Sequence, residues 1–316
     1  MKSAPALTVL AAALALLGGT VARAAPAMSA PPAIEALDLP DRFVLAVTVK
    51  RSGTQTQPAG TRTWTLDQTY RADATATGDG YRVQMTSLDT QSTGEPPVEA
   101  AAMLLAGQIA WRTEGSLSPT AIENWPGVAE GIRKTVRETT TLNMPAQTRT
   151  LLGNAMTSLS AETAAISFLL PQTYLSYPQG YVLKPGKTLT YRGEVGNPLG
   201  GDLITSVNTI LLERERTPAG RSVVIWKQTV DPEAARAVIR STMALVTSRN
   251  GRAVSQAALE RFTFERVDSC RYEIDLATGL TAMADCEIRV DVDAGDGVNF
   301  NRMIQRMVMT QEIVAR

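Results

Sequence analysis

The sequence predicts an α+β fold: one or two large twisted antiparallel sheets of about eleven strands, curled in the manner of a half-barrel, with helices on one face. Three observations carry that prediction. Segments with strict two-residue alternation recur along the chain, as in "RFVLAVTVKR" (42–51), where Phe43, Leu45, Val47 and Val49 share a face. Successive segments are joined by short turns, which suit antiparallel hairpins and not parallel crossovers. Zones of helical periodicity are inserted between two sets of strands instead of alternating with each strand, so sheet and helices segregate.

The elements follow in order. "MKSAPALTVLAAALALLGGTVARAAPA" has the form of a secretory signal: Lys2 ahead of a short apolar run (Ala6 to Leu17), then Ala22-Arg23-Ala24, a small-x-small cleavage pattern. Residues 1–24 are therefore assigned as a signal peptide, 25–40 as a flexible Pro/Ala-rich lead-in, and 41–316 as the sheet region. Strands are expected over 42–51, 62–75 and 80–91, then a short helix over 96–107, where Pro96-Pro97 opens it and Gly107 closes it. A hairpin over 108–123 turns near Gly115. A helical insertion spans about 124–171, with Asn124 as a cap, Trp125, Val128, Ile132 and Val136 on one face, and Pro171 and Pro178 ending it. Strands return at 187–195, 202–216 and 221–230. The next helix starts at Asp231-Pro232-Glu233, buries Ala235, Val238 and Ile239, and stops at Asn250-Gly251. Three strands close the chain at 264–276, 280–292 and 302–314. One reading of this order is two similar halves, 41–123 and 187–316, the second with one more strand, although residue identity between them is poor.

Composition narrows the chemistry. The 316 residues include no histidine, which removes Ser-His-Asp and Cys-His hydrolases, histidine bases and His-ligated metals. Thirty-one basic residues balance 31 acidic ones, which is no footprint for nucleic acid. At 44% hydrophobic residues the chain can bury a sizeable core, yet no segment after the signal is apolar enough to span a membrane as a helix. No cysteine lies near the cleavage site to carry an acyl anchor. There is no Ser-x-x-Lys pair and no Gly-x-Ser-x-Gly elbow. "GYVLKPGKT" misses the phosphate-loop spacing by one residue, and "DVDAGDGVNFN" departs from the calcium-loop pattern at Gly295, Asp296 and Arg302. No cofactor and no metal are implied.

Both cysteines lie in "SCRYEIDLATGLTAMADC". Alternation puts Cys270, Tyr272, Ile274 and Leu276 on one face, and Leu280, Ala282, Ala284, Cys286 and Ile288 on the returning one. A three-residue loop, Ala277-Thr278-Gly279, pairs Leu276 with Leu280 and hence Cys270 with Cys286. Facing cysteines in an exported chain form a disulfide, worth about 3 kcal/mol for a loop of this length. A redox Cys-x-x-Cys motif has a different spacing, and a zinc site lacks two ligands. "TYLSYPQGY" gathers Tyr174, Tyr177 and Tyr181, which either contact a ligand or partner or tuck under the end of the preceding helix.

The Tyr-x-Ile-Asp-x-x-Thr-Gly-Leu hairpin (272–280), with "ENW" before an amphipathic helix and "NPLGGD" between strands, resembles exported proteobacterial proteins of unknown function. That resemblance carries no activity and transfers no site residue. The expected function is a periplasmic or secreted, non-enzymatic binding protein that holds a hydrophobic or amphipathic small molecule between sheet and helices. The alternative is a cell-envelope protein-interaction module acting through the tyrosine segment or a sheet edge. A hydrolase using paired carboxylates ranks third.

Overall fold

The computed structural model describes residues 38–94, 108–138, 154, 159–179, 181–195, 203–238, 240, 260–293, 298 and 300–315. Eleven antiparallel strands form one open sheet: β1 (Arg42–Gln57), β2 (Gly60–Ala76), β3 (Tyr81–Gly94), β4 (Gln108–Thr113), β5 (Pro119–Ile122), β6 (Thr188–Val195), β7 (Ile204–Arg216), β8 (Ser222–Val230), β9 (Thr263–Ile274), β10 (Thr281–Asp293) and β11 (Phe300–Ala315). Their order is β5-β4-β3-β2-β1-β11-β10-β9-β8-β7-β6. Each half of the chain is a meander, and the two meanders meet where the first strand pairs with the last, from Val44–Ala315 to Thr56–Arg302. The edges β5 and β6 do not pair with each other, so the sheet does not close.

The helices are short: α1 (Trp125–Glu138), α2 (Ala161–Phe168) and α3 (Leu170–Ser176), with a further helical segment at 232–238. The α+β class is corrected accordingly. The described chain is mostly β, because its helices are cover segments laid over a sheet that supplies most of the residues. The signal peptide, the helix expected at 96–107, most of 139–158 and the stop at 250–251 lie outside the described residues. Pro171, expected to end a helix, stands in the first turn of α3. The first turn is where a missing N–H costs nothing. Asn124 does not act chiefly as a cap: its Oδ1 accepts from Ala110 N (3.0 Å) and its Nδ2 donates to the Gln108 carbonyl (2.9 Å), which ties the start of α1 to β4. One capping expectation holds: Asp231 Oδ1 accepts from Glu233 N and Ala234 N. The structure adds a second cap, the Ser160 hydroxyl, which accepts from Thr163 N at the start of α2.

Burial alternates residue by residue along the sheet. In β1, Phe43, Leu45, Val47, Val49, Arg51 and Gly53 are buried, while the intervening residues are half-buried or exposed. One face is therefore core and the other meets solvent, as antiparallel sheets allow. The solvent face carries cross-strand and same-strand ion pairs, among them Arg302–Asp291 (3.0 Å) and Arg306–Asp285 (2.6 Å). Asp291, the first residue of the calcium-like stretch, is thus engaged by an arginine. On the inner face, α1–α3 cover the main core. A smaller cluster of Val195, Ile204, Val230, Phe264 and Val292 packs against Ala235 of the 232–238 helix.

Strand β1 outruns its apolar pattern because it pairs on both sides. At Gly53 the ring of Trp64, directly opposite on β2, lies against the backbone, and a Cβ there would sit 2.4 Å from the ring. Cys270 and Cys286 face each other on neighbouring strands and are disulfide-bonded, with Cα atoms 4.1 Å apart. The path to that register differs from the three-residue loop. Asp275 and Leu280 close a four-residue loop: Asp275 N donates to the Leu280 carbonyl, and Gly279 (φ 69°) donates back to the Asp275 carbonyl. The one-residue offset is then cancelled by a bulge at Ala282, between Thr281 and Met283. Leu276 consequently leaves the inner face and is exposed.

Candidate functional site

Helix α3 is the focus of the inner face. All seven of its residues are buried, and it stands over the middle of the sheet with different surroundings on its two sides. Toward β1–β4 it borders a small, partly open cavity of about 30 Å³, walled by Leu45, Val47, Ala72, Val83, Trp111 and Leu175 and reached by Gln172, Gln179 and Gln311. Gln172 Nε2 donates to the Tyr70 hydroxyl (2.7 Å), and Gln311 Nε2 donates to the Thr281 carbonyl (2.8 Å). Three polar atoms of the lining residues are buried without a hydrogen-bond partner: Trp111 Nε1, Gln172 Oε1 and Gln179 Nε2.

Toward β6–β9 lies a buried polar row. The ladder aligns Tyr191 with Asn208, Asn208 with Gln228 and Gln228 with Asp268, one from each of four strands. Asn208 Oδ1 accepts from Gln228 Nε2 (3.0 Å) and Trp226 Nε1 (3.2 Å), and the Ser206 hydroxyl accepts from Gln228 Nε2 (3.1 Å). Asp268 is 0% exposed and is, among the described residues, the one buried carboxylate. Arg266, two residues before it on the same face, grips it through Nε (2.9 Å) and Nη2 (2.7 Å). Burial opposes the Arg266 charge, but the Asp268 carboxylate outweighs it and holds the guanidinium protonated above its usual range.

The three tyrosines singled out from the sequence are brought together, and they face inward. The Tyr174 hydroxyl donates to Asp268 Oδ2 (2.8 Å). The Tyr177 ring packs on Trp226 at 4.2 Å, and its hydroxyl meets that of Tyr191. Half-buried Tyr181 joins through a 2.8 Å contact between its hydroxyl and that of Tyr191. Burial pushes the phenols of Tyr70, Tyr174, Tyr177, Tyr191 and Tyr272 far above the ordinary tyrosine range; the Asp268 charge adds to this for Tyr174. Tyr272 is fully buried and its hydroxyl has no partner.

Sequence reading passed over Arg266, Asp268, Asn208 and Gln228. The signal was present: Asp268 and Arg266 share the parity of Cys270 and Tyr272, so the alternation that buries the cysteine buries them too. Among the described residues no group of three or more Cys, Asp or Glu side chains is placed to hold a metal ion, and no helix is long and apolar enough to cross a membrane.

Neither a protein-family model nor a curated protein matches the chain. Among solved structures it is similar to one described as "lipid-protein interactions in lipovitellin", at 8% identity and a TM-score of 0.43, over 87% of this chain and 25% of that one. The chain thus spans a quarter of that protein's length.

Two outcomes follow from the site. Asp268→Asn leaves Arg266 as an uncompensated buried charge and should cost about 3–5 kcal/mol, whereas the paired replacement Arg266→Met/Asp268→Leu should recover most of that loss. Tyr272→Phe, which removes a hydroxyl without a partner, should be close to neutral; urea unfolding of the variants checks all three. The second outcome concerns pH. The folded phenols have raised pKa values, so their protonated form is favoured by folding. That contribution is complete below about pH 10, where unfolded tyrosines titrate, and is lost as pH rises beyond it. Phenolate absorbance from Tyr70, Tyr174, Tyr177, Tyr191 and Tyr272 should therefore appear together with loss of the circular-dichroism signal. Titration of these five near pH 10 with the fold intact would contradict this.

Proposed function

We propose that this protein is an exported binding protein that takes an apolar or amphipathic molecule between the inner face of its sheet and α3. The observation that carries the reading is the cavity under α3, where apolar side chains from adjacent strands form the wall and a few buried polar groups are positioned among them. Small-molecule sites are lined in this way, although they are roughly tenfold larger. At about 30 Å³ the cavity admits a group the size of a water molecule, so a hydrocarbon chain enters only when α3 moves off the sheet. α3 is a short segment set off at both ends: Leu169 (φ −96°, ψ 37°) breaks it from α2 and Pro178 follows it; Gln172–Tyr70 and Tyr174–Asp268 tie it to the sheet beside the apolar packing of Leu170, Tyr174 and Leu175. The Cys270–Cys286 disulfide supports placement in an oxidising compartment, in keeping with the signal-like residues 1–24.

Asp268, being consumed by Arg266 and Tyr174, offers no support for paired-carboxylate hydrolysis, which needs a second carboxyl in the same cleft. The interaction-module reading has one observation in its favour: edge strand β6 runs eight residues without proline and pairs only with β7.

Native mass spectrometry of protein purified from an oxidising compartment separates these readings. A lipid-sized adduct is expected, released when α3 is unfolded by denaturant. Protein that is empty, and instead carries a second polypeptide, contradicts the carrier reading and favours strand addition at β6.

A further inference from the structure

The polar atoms in the α3 cavity specify more than an apolar guest. None of the residues lining it is charged. The Trp111 indole nitrogen can only donate. Gln179 Oε1 accepts from Leu117 N (2.9 Å), which fixes its amide and leaves Nε2 as a second donor. Gln172 uses Nε2 on Tyr70 and leaves Oε1 as an acceptor. Trp111 is 3% exposed and Gln172 8% exposed, so bulk water does not satisfy them. The lining therefore presents two unused donors and one unused acceptor in a mainly apolar wall that also includes Tyr70, Ser176 and Gln311.

A hydroxyl group is the complement of that set: two lone pairs and one O–H. A carboxylate or phosphate offers acceptors only, leaves Gln172 Oε1 facing another oxygen, and brings a charge into a wall with no countercharge. The cavity's size also suits a hydroxyl and excludes a phosphate ester. We infer that the cavity is the headgroup site of an uncharged long-chain alcohol. Its hydroxyl accepts from Trp111 and Gln179 and donates to Gln172, and its chain leaves through the open side of the cavity. This assignment rests on the carrier reading above and names the class of molecule carried.

The test uses the full disulfide-bonded chain and three probes of equal chain length, 1-dodecanol, dodecanoate and dodecyl phosphate, with binding followed by tryptophan fluorescence and native mass spectrometry. Dodecanol should bind about tenfold or more tightly than either anion, as expected for a buried charge without a partner. Gln179→Met should weaken dodecanol about fivefold, the loss of one neutral hydrogen bond. Trp111→Phe should do the same; because Trp111 is a core residue, circular dichroism must show that this variant folds, and half-buried Gln179 carries the test if it does not. Equal binding of all three probes, with no effect of Gln179→Met, overturns the headgroup assignment and leaves the carrier reading standing. Tighter binding of either anion also overturns it. No binding of any probe overturns the carrier reading and the headgroup assignment together.

Discussion

Pairing between the first strand and the last holds this molecule together. β1 and β11 align from Val44–Ala315 to Thr56–Arg302, and the two meanders meet in the sheet only along that ladder. Without it there are two smaller sheets, each with an additional unpaired edge and half an inner face. With it, rows of side chains run unbroken across the seam. The row that begins at Tyr191, Asn208, Gln228 and Asp268 continues through Ile288, Gln305 and Gly53 to Trp64, and the next row carries Trp226, the Cys270–Cys286 bridge, Met307, Arg51 and Leu66. Closing a contact between residues some 260 positions apart is entropically expensive, though that cost grows only slowly with loop length. Long alternating strands on both sides of the seam offset it.

The inner face that results is not uniformly apolar. Asn208, Gln228, Asp268 and Arg266 on one side, and Arg51 and Gln305 near the seam, separate the core beneath α1–α3 from the smaller cluster around Phe264 and Val292. Helix α3 sits over this boundary, hydrogen-bonded to Asp268 on one flank and to Tyr70 on the other. Helix α3 is held both by the apolar packing of Leu170, Tyr174 and Leu175 in the main core and by these polar anchors. Its anchors are specific in direction, and each is worth about a kilocalorie per mole, more where a charge is involved.

Much of this was legible in the sequence, for definite reasons. Period-2 alternation is a strong signal when one face is solvated, so β1, β9 and β10 and the eleven-strand antiparallel sheet were readable. The opposition of Cys270 and Cys286 was readable too, although by an incorrect loop: a four-residue turn plus the Ala282 bulge gives the register that a three-residue turn would have given. Bulges leave no composition signal here, since alanine sits equally well in or out of one. The seam was not readable, because alternation says which face a strand buries and not which strand lies beside it. The cavity was not readable either. Trp111 lies some 60 residues before Gln172 and Gln179, and only the register of β1–β4 under α3 brings the strand to the helix and turn that carry them.

The claim on which the rest depends is that the two meanders form one cooperative sheet through β1–β11. Native-state hydrogen exchange tests it directly. The account predicts that amides of β1 and β11 are among the slowest to exchange, that they open only with global unfolding, and that β2, β9 and β10 open at the same free energy. Exchange of β1–β3 at a free energy well separated from that of β8–β11, with the seam amides opening early, would show two independent units and contradict it.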